Sequence, residues 1–210
     1  EREPTMSIQA FLFDCGGVLL RDGDDAPYRA WEGRLGLPAG ALRHRLWEGE
    51  AWPLAERGEI TDEEFWARSG RELGLTAPED VARLRDDLWG AWQVEPGVLA
   101  LVDRLRRRHR VAILSNASDA LEGMLAARYG VADRFEAILN SARLGVAKPE
   151  RAIYEQALGA LGLESRETVF IDDRAENVAA AAALGLHVVW YVGPTELARQ
   201  LAAYLPTAAP

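Results

Sequence analysis

Cysteine, lysine and methionine are nearly missing from this chain of 210 residues: it holds one cysteine, Cys15, one lysine, Lys148, and two methionines. A lone cysteine excludes an internal disulfide, so the fold must hold without a covalent staple, and a reducing cytoplasmic location is expected. No apolar run comes near the roughly 18 residues that a membrane-spanning helix needs, so no membrane partner is expected. The first ten residues, EREPTMSIQA, lack the basic-then-apolar pattern of a secretory signal. Those ahead of Met6 read equally as an extended start or a remnant. Positive charge is also short. The 24 lysines and arginines face 33 acids, and a net charge of -9 excludes general electrostatic attraction to nucleic acid or anionic lipid. The one basic run, RLRRRHR from Arg104 to Arg110, reads as the C-terminal turns of a surface helix, where cations suit the helix dipole.

What is present is the composition of an ordinary globular protein, 49% hydrophobic and 27% charged, in a chain long enough for one domain carrying a smaller insert. The segments IQAFLFD, RVAILSN, FEAILNS, ETVFIDD and GLHVVWYV read as short buried strands, and amphipathic helical stretches separate the later ones. That alternation predicts an α/β fold, a Rossmann-like sheet of mainly parallel strands with helices on both faces. Between the first two strands the pattern is helical throughout. This stretch holds six of the seven tryptophans, namely Trp31, Trp47, Trp52, Trp66, Trp89 and Trp92. The expected organisation is therefore a core domain from residues 1–20 and 94–210 and a small all-helical domain from residues 21–93. Thr61 and Glu64 in GEITDEEFW predict a capping box at one helix start, and Pro96 opens the helix that returns to the core. The tail LPTAAP reads as frayed.

Ligands of open parallel sheets collect beyond the carboxyl ends of the strands. The first strand delivers Asp14 there and the second Ser115 and Asn116. The third leads to Lys148, and the fourth ends at Asp172 and Asp173. One acid after one strand means little, but four strand ends supplying acid, hydroxyl, amine and paired acids suit phosphoryl chemistry. Lys148 stands out because 23 arginines surround it in composition. An ammonium is a compact charge with three rotatable donors, and a guanidinium is a broad planar fork. A carboxylate can attack phosphorus once anionic repulsion is neutralised. Magnesium, an oxygen-seeking ion, suits Asp14, one or both of Asp172 and Asp173, a backbone carbonyl and a phosphate oxygen. Lys148 offsets charge, and Ser115 with nearby amides binds the equatorial oxygens. Both cations should lower the pKa of Asp14. Gly16 and Gly17 let the backbone approach metal and phosphate closely.

In this order the motifs DCGGVL, LSN, KP and FIDD resemble those of the haloacid dehalogenase superfamily, mostly phosphatases, over nearly the whole chain; the helical insert is similar to its cap domain. The resemblance implies Asp14 as nucleophile and Ser115 and Lys148 as phosphoryl-group stabilisers. It also implies magnesium held by Asp14, the Gly16 carbonyl and most directly Asp173, with Asp172 a neighbouring acid. One position departs from the pattern: the typical phosphatase of the family has a second aspartate, a general acid, where this chain has Gly16. The expected activity is magnesium-dependent hydrolysis of a small phosphorylated metabolite, a sugar phosphate such as a sugar 1-phosphate, through an aspartyl phosphate. A 2-haloacid dehalogenase and a non-catalytic member binding a phospho-ligand or protein stay open as alternatives, with a monomer or homodimer expected.

Further residues carry weaker expectations. Trp52 or Trp47 could face the cleft as a platform for a sugar ring, Arg57 could bind a distal anion, and Asp22, Asp24 or Asp25 could replace the missing acid. Asn177 could order the loop that holds the acid pair. Cys15 should point away from Asp14 by strand alternation and stay inert.

Overall fold

The computed structural model describes residues 8–204. The stretch before and including Met6 and the LPTAAP tail lie outside the described residues. The chain runs β1 (Ala10–Phe13), β2 (Leu20–Asp22), α1 (Ala26–Leu35), α2 (Ala41–Trp47), α3 (Ala51–Glu56), α4 (Asp62–Glu72), α5 (Pro78–Ala91) and β3 (Trp92–Val94). It continues through α6 (Pro96–Leu105), β4 (Arg110–Ser115), α7 (Leu121–Gly123), β5 (Ala137–Asn140), α8 (Ser141–Leu144) and α9 (Arg151–Leu161). The last elements are β6 (Thr168–Asp172), α10 (Ala175–Ala183), β7 (His187–Trp190) and α11 (Pro194–Gln200).

All five segments that read as buried strands join one parallel sheet in the order β5-β4-β1-β6-β7. Period-two alternation divides its side chains between two apolar layers. Phe11, Phe13, Ile113 and Ile171 pack with Val98, Leu101 and Leu105 of α6 and with Leu197 of α11. Leu12, Leu114 and Phe170 pack with Ile153, Tyr154 and Leu158 of α9 and with Ala181 of α10. The register sets Phe13 opposite both Ile113 and Ile171, and Ser115 opposite Asn140. Asp14, Ser115 and Asp172 therefore emerge along one carboxyl edge, and β1, with a neighbour on each side, sits at its middle.

Helices α1–α5 close around their own core, in which Tyr28, Trp31, Leu42, Leu46, Phe65, Trp66, Leu84 and Leu88 are buried. The expectation of helix throughout this stretch needs one correction. Leu20–Asp22 and Trp92–Val94 pair as a two-stranded antiparallel ribbon, Arg21 opposite Gln93. The chain thus enters and leaves the helical unit through adjacent strands. The Arg21 guanidinium lies 2.9 Å from Glu95 across the base of the ribbon. The capping box is half formed: the Thr61 hydroxyl accepts the Glu64 N–H at 3.1 Å, whereas the Glu64 carboxylate turns to Arg68. The basic run also departs from expectation. Helix α6 stops at Leu105, so the run lies mainly in the turn that follows, and Arg110 opens β4 with its guanidinium on Glu136 and the Leu161 carbonyl.

The segment after α3 fastens the helical unit to the sheet. Arg57 donates to Glu150 at 2.6 Å, the Asp62 N–H donates to Asp119 at 2.8 Å, and the Ser118 hydroxyl donates to Asp62 at 2.6 Å. Between them Gly58 adopts φ +70°, and any Cβ there would overlap the carbonyl of Ala142 in α8. Only glycine meets both demands.

Candidate active site

The Lys148 ammonium lies 2.8 Å from Asp14 Oδ1 and 2.7 Å from Asp172 Oδ2, and its side chain is 1% exposed. Neither acid is adjacent to it in sequence; the sheet brings them together. Two amides hold this arrangement. The Asn116 carboxamide accepts the Lys148 N–H at 2.8 Å and donates to the Lys148 carbonyl at 2.9 Å, clamping the backbone of the loop. The Asn177 amide donates to both oxygens of Asp172 at 3.0 Å, and the Arg174 N–H adds a third donor at 2.8 Å. Asp172 is fully buried, and both of its oxygens accept from these partners. Asp14 Oδ1 also accepts the Cys15 N–H at 2.7 Å.

Asp14, Asp172 and Asp173 each offer a carboxylate oxygen, the three lying within 4.8 Å of one another. Asp173 is the exposed member, and its backbone carbonyl accepts the Trp190 indole N–H at 2.9 Å. Its carboxylate packs on Gly17, where a Cβ would overlap it and where φ is +85°. Three carboxylates against one ammonium leave negative charge in excess, and the donors are hard oxygens, so the residues present fit a divalent cation of the magnesium type. Gly17→Ala tests this cradle. It is expected to lower metal affinity and activity by more than about tenfold, because strain at positive φ adds to displacement of Asp173. Isothermal titration with magnesium measures the first effect.

Burial governs the electrostatics of the cluster. Burial pushes Asp14 up to about 7, Lys148 pulls against it, and the charges of Asp172 and Asp173 add to the rise. Lys148 alone therefore does not bring the pKa down. Burial opposes the Lys148 charge too, but Asp14 and Asp172 outweigh it and raise the ammonium's pKa. Partial burial and the Asp172 charge likewise raise Asp173.

The cluster forms the floor of a cavity of about 410 Å³ between the sheet edge and the helical unit. Asp14, Gly16, Gly17, Ser115, Asn116, Lys148 and Asp173 line its lower part. Trp47, Trp52, Trp89, Trp92, Arg43 and Glu56 line the helical side. Trp47 and Trp52 meet edge to face with ring centroids 4.8 Å apart.

The family model for haloacid dehalogenase-like hydrolases matches residues 8–185. The chain belongs to this family. It is 28% identical over 181 residues to the sesquiterpene phosphatase astK of Aspergillus oryzae, covering 86% of this chain and 88% of that one. It spans only 19% to 38% of the length of three further curated relatives. A structure of the HAD family enzyme BT-2542 of Bacteroides thetaiotaomicron, in complex with magnesium and inorganic phosphate, superposes with a TM-score of 0.72 at 23% identity, over 87% of this chain and 93% of that one. The L-2-haloacid dehalogenase of Xanthobacter autotrophicus superposes with a TM-score of 0.65 at 24% identity, over 97% and 85%. At such identities these two neighbours speak for the fold.

Several expected residues of this hydrolase sit elsewhere than the motifs suggest. Arg57 does not line the cavity; its guanidinium is drawn off to Glu150 on the sheet domain. Asp22 pairs with Arg43, Asp24 accepts the Ala26 N–H, and Asp25 also takes Arg43, so none of the three borders the cavity. Asn116 borders it, but its carboxamide serves Lys148. Cys15 is buried among Phe11, Phe13 and Val18, and burial drives its thiol pKa far up, so it stays protonated. Sequence reasoning missed Arg43 and Glu56. Glu56 had a usable signal, since it stands four residues after Trp52 on one helix and the two share a face.

Proposed function

We propose that this hydrolase is a magnesium-dependent phosphatase of a small phosphorylated metabolite, working through an aspartyl phosphate on Asp14. The observation that carries the reading is the buried Lys148 ammonium bonded to both Asp14 and Asp172, with Asp173 in reach of the same point. Asp14, Asp173 and the Gly16 carbonyl would hold magnesium, with Asp172 behind them. The bound ion would supply neutralisation of the phosphate's charge. Asp14 then attacks phosphorus, Lys148 fixes the attacking carboxylate and offsets charge on the phosphoryl group, and Ser115 with the Gly17 backbone receives phosphoryl oxygens. Asn116 is a positioning residue that acts through Lys148. The aromatic wall receives the organic part of the substrate. Tryptophan faces suit the apolar face of a sugar ring, and similarity to a sesquiterpene phosphatase adds sesquiterpene phosphates, a class of isoprenoid phosphate, to the candidates.

A dehalogenase is the competing reading, favoured by the shared fold with the Xanthobacter enzyme. Asp173 weighs against it, because an acid kept beside two others at the cavity surface is costly without a cation to meet. A screen of sugar phosphates, isoprenoid phosphates and 2-haloacids, with magnesium and with chelator, decides between them. Phosphate release that falls at least about 100-fold on chelation and returns with magnesium is the expected result. Chelator-resistant halide release overturns it.

A further inference from the structure

Breaking a phosphate ester of an alcohol puts negative charge on the leaving oxygen, and a positioned proton donor is worth about 10² to 10⁴ in rate. The residues that follow Asp14 supply none, since burial makes the Cys15 thiol hold its proton far more tightly than usual and position 16 is glycine. Among the described residues four carboxylates line the cavity: Asp14, Asp173, Glu48 and Glu56. The first two belong to the cluster around Lys148. Glu48 is exposed, 3.6 Å from His44. Glu56 remains.

Glu56 ends α3 one turn after Trp52, and both side chains reach the cavity from one helix face. Its position is fixed from below. Arg57, Gly58 and Asp62, the residues that follow, carry the contacts with Glu150, Ala142, Ser118 and Asp119 that fasten the helical unit to the sheet. Glu56 is half-buried, and burial raises its pKa while the charges of Arg57, Arg174 and Lys148 and the Trp52 indole pull the other way. Among the described residues the other charged groups that line the cavity from the helical side are Arg43, held by Asp22, and Glu48. Glu56 and Lys148 line the same cavity, Glu56 from the helical side and Lys148 from the floor.

We propose that Glu56 is the acid–base residue of the reaction, an inference that rests on the phosphatase reading and deepens it. In the first step an Asp14 oxygen forms a bond to phosphorus while the bond from phosphorus to the ester oxygen breaks. The electron pair goes to that oxygen, which takes the proton of the Glu56 carboxyl and departs as the alcohol. In the second step a water oxygen bonds to phosphorus and gives a proton to the Glu56 carboxylate. The bond between phosphorus and Asp14 breaks, which frees phosphate and returns both acids to their starting states.

Glu56→Gln keeps the shape and removes the titration. With p-nitrophenyl phosphate, whose leaving group needs no proton, the variant is expected to release about one p-nitrophenol per enzyme in a burst. It then turns over about 10² to 10⁴ more slowly, with kcat/KM within about threefold of wild type. The rise of kcat with pH, which needs the Glu56 carboxylate, is expected to be absent from the variant. Formate should partly restore turnover to Glu56→Ala. A variant with no burst and unchanged kcat overturns the proposal, as does an equal fall of kcat and kcat/KM with the pH profile kept. A wild-type protein that cleaves no phosphate ester overturns the phosphatase reading itself, which is a distinct outcome.

Discussion

Asp14→Asn is expected to lower phosphatase turnover by a factor on the order of 10⁴ or more while leaving the fold as stable as before. The carboxamide matches the carboxylate in shape but cannot attack phosphorus. It keeps an oxygen for the Lys148 ammonium and the Cys15 N–H, so both contacts can persist. The variant also removes a carboxyl whose ionised form is opposed by burial, and it leaves Lys148 paired with Asp172, so stability should hold or rise. Steady-state kinetics and a thermal melt at one pH together check this. A variant with near-native turnover ends the nucleophile assignment.

Lys148→Met should lose both activity and stability. Two carboxylates, Asp14 and Asp172, lose their only lysine, and breaking a buried ion pair from one side costs about 3–5 kcal/mol. For a chain of this size that lowers Tm by roughly 6–20 °C. The loss should depend on pH in a definite direction. The unfolded chain releases the Asp14 proton near 3.8, whereas the folded protein, even with Lys148 present, holds it up to about 7. Without the ammonium the folded pKa moves higher still. Between these values the folded state binds more protons than the unfolded one, so stability falls as pH rises. The variant should thus be closest to wild type in acid and furthest from it above neutrality. Lys148→Arg is expected to stay inactive, because a planar fork does not fit a side chain that is 1% exposed and shared between two carboxylates at under 3 Å.

The sheet and its ligand edge were legible in the sequence because buried parallel strands write continuous apolar runs, and polar residues at their ends break those runs abruptly. Asp14, Ser115 and Asp172 could therefore be placed by simple reading. Lys148 announced itself as the chain's one lysine. Gly17 could be named as a close-approach residue, but that Asp173 is what approaches it depends on two loops distant in sequence. The two-stranded ribbon was hidden because Leu20–Asp22 and Trp92–Val94 are three residues each, too short to show a period. Arg57 was misplaced for a different reason: which of two neighbouring side chains turns inward depends on tertiary partners. Glu150 captures Arg57, and Glu56 is left facing the cavity. Asn116 and Asn177 could be marked as polar residues near the edge. Their clamps on Lys148 and Asp172 required coordinates.

The central claim is covalent: Asp14 carries the phosphoryl group, and water attacks phosphorus rather than the aspartyl carbon. A single turnover in heavy-oxygen water tests it directly, with the peptide spanning Asp14 and the released phosphate both analysed by mass spectrometry. The account predicts heavy oxygen in the phosphate and none in Asp14. Heavy oxygen incorporated into Asp14 would contradict it, since that places water attack on an aspartyl ester carbon, as a dehalogenase requires.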